Sequence, residues 1–354
     1  MVKQYRSFVA LGLTLVAAAL GGCASSGENS AGGGVDGDRL QVVATSRVLC
    51  DLTQQVAEDS VDLVCLLAPG QDPHTYQARP SDRQAVDSAD LVLYDGYNFA
   101  PSVFNVVMAS QNPAPRVAVL ELAVPNPILG AGHNHDHGHD HDHSHDHEHD
   151  HDHGDSSASE FVAEETVPDP HVWHNARHNA AMAAVIADAL SEVSPDQASR
   201  YRARADQLAD EFTEIDAWIQ AQVATVPSPN RRLVTPHDAF RYFAEAYGFE
   251  VKGALSGLNT DAQPSPRALT ALVDQIKAAT VPAIFAESTT NPALIQTVAN
   301  NAGVTVAEVP LIVEGPEGPD SPAATTQAML VINTCTIVNA LGGTCDEAGS
   351  PLSS

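Results

Sequence analysis

Leu40–Leu67 reads LQVVATSRVLCDLTQQVAEDSVDLVCLL. An apolar, β-branched run from Leu40 to Thr45 is followed by a stretch, Val48 to Glu58, in which Val48, Leu52 and Val56 recur at four-residue steps. A second apolar run, Val61 to Leu67, closes the unit. This is strand, helix, strand. Parallel strands need such a crossover, and strands covered on both faces read as continuous rather than alternating apolar runs.

The alternation continues outward. Ser81, after Pro80, is placed to cap a helix reaching about Ser88; Leu91–Tyr94 reads as a strand, Val103–Ala109 as a short helix and Val117–Leu120 as a fourth strand. A second series follows Pro227: a strand from Leu233 into Pro236-His237, a helix from Phe240 to Tyr247 stopped by Gly248, and a helix from Ser265-Pro266 through Ile276. It goes on with a strand Ile284–Glu287, a helix Pro292–Ala299, a strand Val304–Val309 and a last helix from about Ala324 to Leu341,. Between the two series lies a helical stretch with Met182, Val185, Ile186 and Leu190 on one face. Beyond it, Ser194-Pro195 resembles a cap followed by a first-turn proline,. From there Tyr201, Ala205, Leu208, Phe212, Ile215, Ile219, Val223 and Val226 keep helical spacing. About thirty residues at ~1.5 Å each reach ~45 Å. Such a helix either joins two lobes or packs along one larger domain. The expected class is α/β, with small, mainly parallel sheets flanked by helices.

At the amino end, Lys3 and Arg6 precede an apolar run from Phe8 to Leu20, too short for a comfortable membrane span, and Leu20-Gly21-Gly22-Cys23 closes it,. This resembles the lipobox of bacterial lipoproteins, which would make residues 1–22 a signal peptide and Cys23 the lipid-bearing residue. The Gly- and Ser-rich stretch 23–39 is then a flexible tether,. The alternative is an ordinary signal peptide with an incidental cysteine. Export makes Cys50, Cys65, Cys335 and Cys345 an even set of disulfide candidates,. Proximity in sequence favours Cys50 with Cys65 and Cys335 with Cys345; a thiolate metal site is the rival, without CxxC spacing to support it.

The formal charge is −28, from 17 basic and 45 acidic residues, which argues against nucleic acid as a partner,. Part of it lies in one low-complexity run. His133, His135, His137, His139, His141, His143, His145, His147, His149, His151 and His153 occupy every second position, and seven acids are interleaved. Removing those seven from 28 still leaves 21 negative charges, so the bias belongs to the whole chain. With no large apolar side chain, the run is expected to be a disordered loop, about 126–165, able to bind several divalent ions loosely.

Five histidines lie outside that run, and three of them follow proline: Asp72-Pro73-His74, Asp169-Pro170-His171 and Thr235-Pro236-His237. Proline stiffens the chain that presents each imidazole, as a metal ligand requires. His74 and His237 both fall just beyond strands, where ligands of open α/β sheets gather. Three imidazoles with one oxygen ligand suit zinc first. His174 and His178, four apart at a helix start, are either a metal-binding pair or a solvent-exposed face. Trp173 reads as packing.

Asp72-Pro73-His74-Thr75-Tyr76 with Pro80-Ser81-Asp82, Asp169-Pro170-His171-Val172-Trp173, and His237-Asp238-Ala239-Phe240 with Tyr242-Phe243 together resemble the ligand motifs of the metal-binding receptors of ABC-type zinc and manganese importers. The likeness runs from about Leu40 to Gly343. It implies two α/β lobes, 40–194 and 227–345, joined by a rigid helix, 195–226, with a tail at 346–354 and one ion between the lobes. It implies His74, His171 and His237 as ligands. Zinc receptors of the family carry histidine at the third position where manganese receptors usually carry glutamate, so His237 favours Zn²⁺ over Mn²⁺ as transported ligand. The fourth position is usually aspartate; counting back from Asn333 lands on Glu314, with Asp320, Glu287 or water as rivals. Glu287 and His174 are candidates to support the ligands. The resemblance implies no catalysis, a permease with its ATPase as partners, a monomer, and an anchor on the outer face of the cytoplasmic membrane. Competing readings are a zinc-dependent hydrolase, for which no general base is evident, and a metal-buffering surface lipoprotein.

Overall fold

The computed structural model describes residues 39–131, 166–258, 260 and 264–353. Residues 1–22, expected to be a signal peptide, lie outside the described residues, as do Cys23 and the His-rich run. Strand β1 (Leu40–Ala44) pairs in parallel with β2 (Val61–Cys65), Leu40 opposite Val61 and Ala44 opposite Cys65, and α1 (Arg47–Ala57) makes the crossover. The Ser46 hydroxyl caps α1 by accepting from the Leu49 N–H,. Helix α2 (Pro80–Ser88), β3 (Leu91–Tyr94), α3 (Pro101–Ala109) and β4 (Arg116–Ala118) complete a parallel four-stranded sheet ordered β2-β1-β3-β4. Val42, Val43, Leu91, Val92 and Leu93 are all buried, which is why these strands show no alternation,. The Cys50–Cys65 disulfide ties α1 to β2, and Cys335–Cys345 closes the end of the last helix.

Two local expectations are corrected. Ser81 does not cap α2: Pro80 takes the first helical position, where its missing N–H is not needed, and the Asp82 carboxylate reaches back to the Arg79 N–H at 2.7 Å,. The strand expected through Leu120 ends at Ala118, because the Leu120 N–H is taken by the Asp95 carbonyl and the chain turns into α4 (Val119–Ala123).

A short antiparallel pair, β5 (Leu129–Ala131) with β6 (Thr166–Pro168), leads to a 3₁₀ turn at Val172–His174 and then α5 (Ala176–Val193). Ser194 closes α5 and gives no side-chain cap to the next turn. A 3₁₀ turn at Pro195–Gln197 intervenes before α6 (Ala198–Ala224), 27 residues or ~40 Å long,. Beyond it come β7 (Arg232–His237), α7 (Arg241–Tyr247), β8 (Glu250–Ser256), α8 (Pro266–Ala279), β9 (Ala283–Ile284), α9 (Pro292–Ala302), β10 (Thr305–Val306) and α10 (Thr326–Ala340). β7 pairs in parallel with β8 and β9 with β10. These are two separate two-stranded sheets, linked by a hydrogen bond from the Phe285 N–H to the Val234 carbonyl.

Helix α6 packs on α5 and α1 from the first series and on α7 and α10 from the second. Its buried face, Tyr201, Leu208, Phe212, Ile215 and Ile219, belongs to one apolar cluster that also takes in Val42 and Leu49 on one side and Leu233, Phe240 and Phe243 on the other. A smaller cluster, with Leu272, Ile276, Ile284 and Val298, serves the two small sheets of the second series alone. No described helix is long and apolar enough to cross a membrane.

Candidate metal centre

His74 stands in the loop after β2, His171 in the Asp169-Pro170-His171 turn that follows β6, His237 at the carboxyl end of β7 and Glu314 in the loop before α10. Four distant segments thus meet. One donor atom from each lies within 4.8 Å of all the others, and all four residues are buried. The His171 Nε2 is 3.3 Å from the Nε2 of His74 and 3.3 Å from that of His237, while Glu314 Oε1 is 3.4 Å from His237 Nε2 and 3.7 Å from His74 Nε2. Glu287, His174 and Asp320 are not in this group of donors.

The loops are held by the residues beside the ligands. In both Asp-Pro-His turns the aspartate Oδ1 accepts the backbone N–H of the histidine two residues on, at 2.9 Å for Asp72 with His74 and for Asp169 with His171,. Asp169 Oδ1 also lies 2.8 Å from His171 Nδ1. The third turn has threonine instead: the Thr235 hydroxyl donates to the His237 carbonyl, and Glu287 supplies the carboxylate. Glu287 Oε1 accepts the His237 N–H at 3.1 Å and its Oε2 sits 2.7 Å from Nδ1. These contacts put hydrogen on Nδ1 of His171 and His237 and turn the Nε2 lone pairs inward. Sequence reasoning quoted Asp169 without giving it this role; the repeated Asp-Pro-His tripeptide was the available signal.

Glu314 is fixed by its neighbours. The Asn333 amide both donates to the Ile312 carbonyl and accepts the Ile312 N–H, and the Trp173 indole donates to the Val313 carbonyl at 2.9 Å. On the other side Arg47 donates to the carbonyls of Pro316 and Glu317. Gly315, at φ +114°, lies against α1: a Cβ there would come within 2.9 Å of the Arg47 Cβ and 3.1 Å of the Val48 nitrogen,. Phe99 packs edge-on to His74 and Trp173, with ring centroids 5.2 and 4.9 Å apart, and gives the site an apolar wall that no sequence motif announced. His174 is fully buried and stacked on Phe240 at 4.3 Å, and His178 packs on Tyr242, so neither faces solvent as a free pair.

Burial sets the electrostatics. It raises the Glu314 carboxyl to about 8, against the opposing pull of His237, and raises Asp169 to about 8,. At His237 burial works to lower the pKa, but the Glu287 carboxylate, with Glu314 and Asp72 behind it, outweighs burial and brings it to about 9. Burial and the neighbouring imidazoles hold His171 well below the usual histidine range, and His174 falls to about 3. Both Glu314 oxygens lack any hydrogen-bond partner. Four buried donors with no hydrogen-bond partner for either Glu314 oxygen are costly among themselves, and a divalent cation that displaces their protons satisfies all of them,.

A buried three-imidazole, one-carboxylate centre among small parallel sheets and a long helix defines a divalent-metal solute-binding protein, a class that captures rather than converts its ligand. Residues 42–340 match the family described as zinc-uptake complex component A, periplasmic, and the chain belongs to that family. It is 30% identical over 342 residues to the manganese-binding lipoprotein MntA of Halalkalibacterium halodurans, covering 96% of this chain and 99% of that one. It is 29% identical over 253 residues to the zinc-binding protein TroA of Treponema pallidum, covering 72% and 71%. The solved structure of that periplasmic zinc-binding protein superposes with a TM-score of 0.72 at 26% identity, over 86% of this chain and 99% of the other. Members of this family work with an ABC-type permease and its ATPase.

Proposed function

We propose that the chain is the lipid-anchored receptor, attached through Cys23, that takes up Zn²⁺ outside the cytoplasmic membrane and hands it to an ABC permease. The observation that carries the choice of ion is the donor set. A tetrahedral zinc with Zn–N bonds of ~2.0–2.1 Å separates two nitrogen ligands by ~3.3 Å. His171 Nε2 stands 3.3 Å from the Nε2 of each of the other two histidines, and histidine stands at the third position. Glu314 supplies the fourth donor, one methylene longer than the usual aspartate. Residues 40–194 and 227–345 act as the two lobes, with the long helix between them. The His-rich run gathers ions loosely for this site.

Manganese is the second reading, favoured by relatives that are named manganese-binding lipoproteins. Competitive titration of the mature protein lacking residues 133–153 with Zn²⁺ and Mn²⁺, with bound ions counted by elemental analysis, separates the two. One zinc held at least ~100-fold more tightly than manganese, as nitrogen-rich tetrahedral sites favour, is the expected result. Equal or tighter manganese binding would discard the zinc assignment.

A further inference from the structure

A cavity of about 20 Å³, room for about one water, is lined by Glu314 together with Arg47, Gln71, Ser288, Thr289 and Glu317,. Its mouth lies at Gly70 and Ser288, both exposed. It is polar where it meets the site: the Thr289 hydroxyl and both Glu314 oxygens are buried without hydrogen-bond partners. Unpartnered polar groups lining a passage between solvent and a metal ligand are what a dehydrating ion needs on its way in. Among the imidazoles themselves, the ring of Phe99 packs against His74 and His171.

One wall of this passage is the segment 314–317, and it is joined to α1 by a small number of contacts. The Arg47 guanidinium donates from Nε to the Pro316 carbonyl at 3.2 Å and from Nη2 to the Glu317 carbonyl at 3.0 Å. Gly315 makes the close approach possible, since any side chain there would strike Arg47 and Val48. One turn further along the same face of α1, the Asp51 carboxylate accepts from the backbone N–H and hydroxyl of Thr326, fixing the start of α10 to the same helix,. The three histidines are held instead by carboxylates of their own, Asp72, Asp169 and Glu287. Glu314 is therefore the donor whose position depends on that seam.

We propose that the ion enters and leaves through this passage at Glu314, and that Arg47 is the positioning residue that latches its movable wall, segment 314–317, onto α1. The inference deepens the metal-receptor reading and rests on the four-donor site, but it holds for either ion. The two hydrogen bonds from Arg47 keep Glu314 against the imidazoles while the ion is held. When they break, the carboxylate swings towards the mouth and the ion is left on three neutral ligands beside an open, hydrated path.

Zn²⁺ release is measured by transfer to a chromophoric chelator, and capture by stopped-flow mixing, with bound ions counted in each variant. Arg47→Met is expected to bind one ion and release it about tenfold faster, the loss anticipated for hydrogen bonds from a charged donor. Arg47→Lys, which keeps stem and charge but not the fork, should move the same way by less and guards against a folding defect. In a Glu314→Gln background the Arg47 substitution should add under about twofold, because the latch then holds nothing that binds the ion. Ser288→Trp at the mouth should slow capture and release by the same factor and leave affinity unchanged. Unaltered rates in Ser288→Trp place the route elsewhere and overturn the proposal. So does an Arg47 effect that persists in full without Glu314. A wild-type chain that held no single ion tightly would overturn this inference and the receptor reading together, and that outcome is visible before any variant is made.

Discussion

Glu314→Gln raises the melting temperature of the metal-free protein at pH 8 and removes most of the further rise that Zn²⁺ gives the wild type. The first half follows from the buried carboxyl. Its pKa is about 8 in the fold against an ordinary 4.5. Between these values the folded state holds a proton that the unfolded chain has lost, so this group's contribution is full below about 4.5 and erodes as the pH rises towards 8. At about 1.4 kcal/mol per unit, and allowing for the opposing charge on His237, the cost at pH 8 is on the order of 2–4 kcal/mol. Glutamine does not ionise, and its side-chain oxygen can accept from the protonated His237. The second half follows because the ion loses its only anionic donor, and the stabilisation a ligand gives falls with its affinity. Thermal melts at pH 5 and pH 8, with and without zinc, check both. A variant less stable than the wild type at pH 8 in the absence of metal would show that Glu314 is not held as a costly charge.

The second large effect is the coupling of ion capture to protons. His237 at about 9 and Glu314 at about 8 both carry protons in the metal-free site at neutral pH, and both must give them up before they bind an ion,. Their raised pKa values place the dependence above the ordinary histidine range: affinity climbs with pH through 6 and 7 and levels only near 8 to 9. His171 and His174, held low, stay neutral throughout and contribute nothing to it. At pH 7 one to two protons should leave per ion, so affinity changes by roughly 10- to 100-fold per pH unit. Calorimetry in buffers of differing ionisation enthalpy counts the released protons directly. A count near zero at pH 7 would contradict the electrostatic account of the site.

The parts of this site that showed in the sequence are those whose chemistry is local. Proline before each of His74, His171 and His237 set them apart from His174 and His178, and the strand ends beside two of them gave their place in the fold. Glu314 was reached only by counting back from Asn333, whose amide does anchor the loop at Ile312. The features that stayed hidden depend on contacts across the chain. Arg47 meets a carbonyl 269 residues away, and nothing near Arg47 announces it. Phe99 resembles any core aromatic until the fold sets it against His74. The strand β8 went unread because Gly253 interrupts it and most of its side chains are only half buried, so neither a continuous nor an alternating pattern forms,. Helix α6 was legible along its length because its apolar face is periodic, but its start was not, since the 3₁₀ turn after Ser194 shares the same residues as a capped first turn.

The apolar cluster that runs from Val42 through α6 to Phe243 has a consequence for cooperativity. Neither series of strands and helices keeps a complete interior when the other is taken away, because the side chains of α5 and α6 that fill one side of the cluster also fill the other. Denaturant should therefore unfold the described elements in one transition, with the small cluster around Ile276 and Val298 as the region free to loosen early,. A protein built this way resists opening as two halves. It yields at its rim, one loop at a time, and a membrane partner that draws the ion out has only to work on that rim.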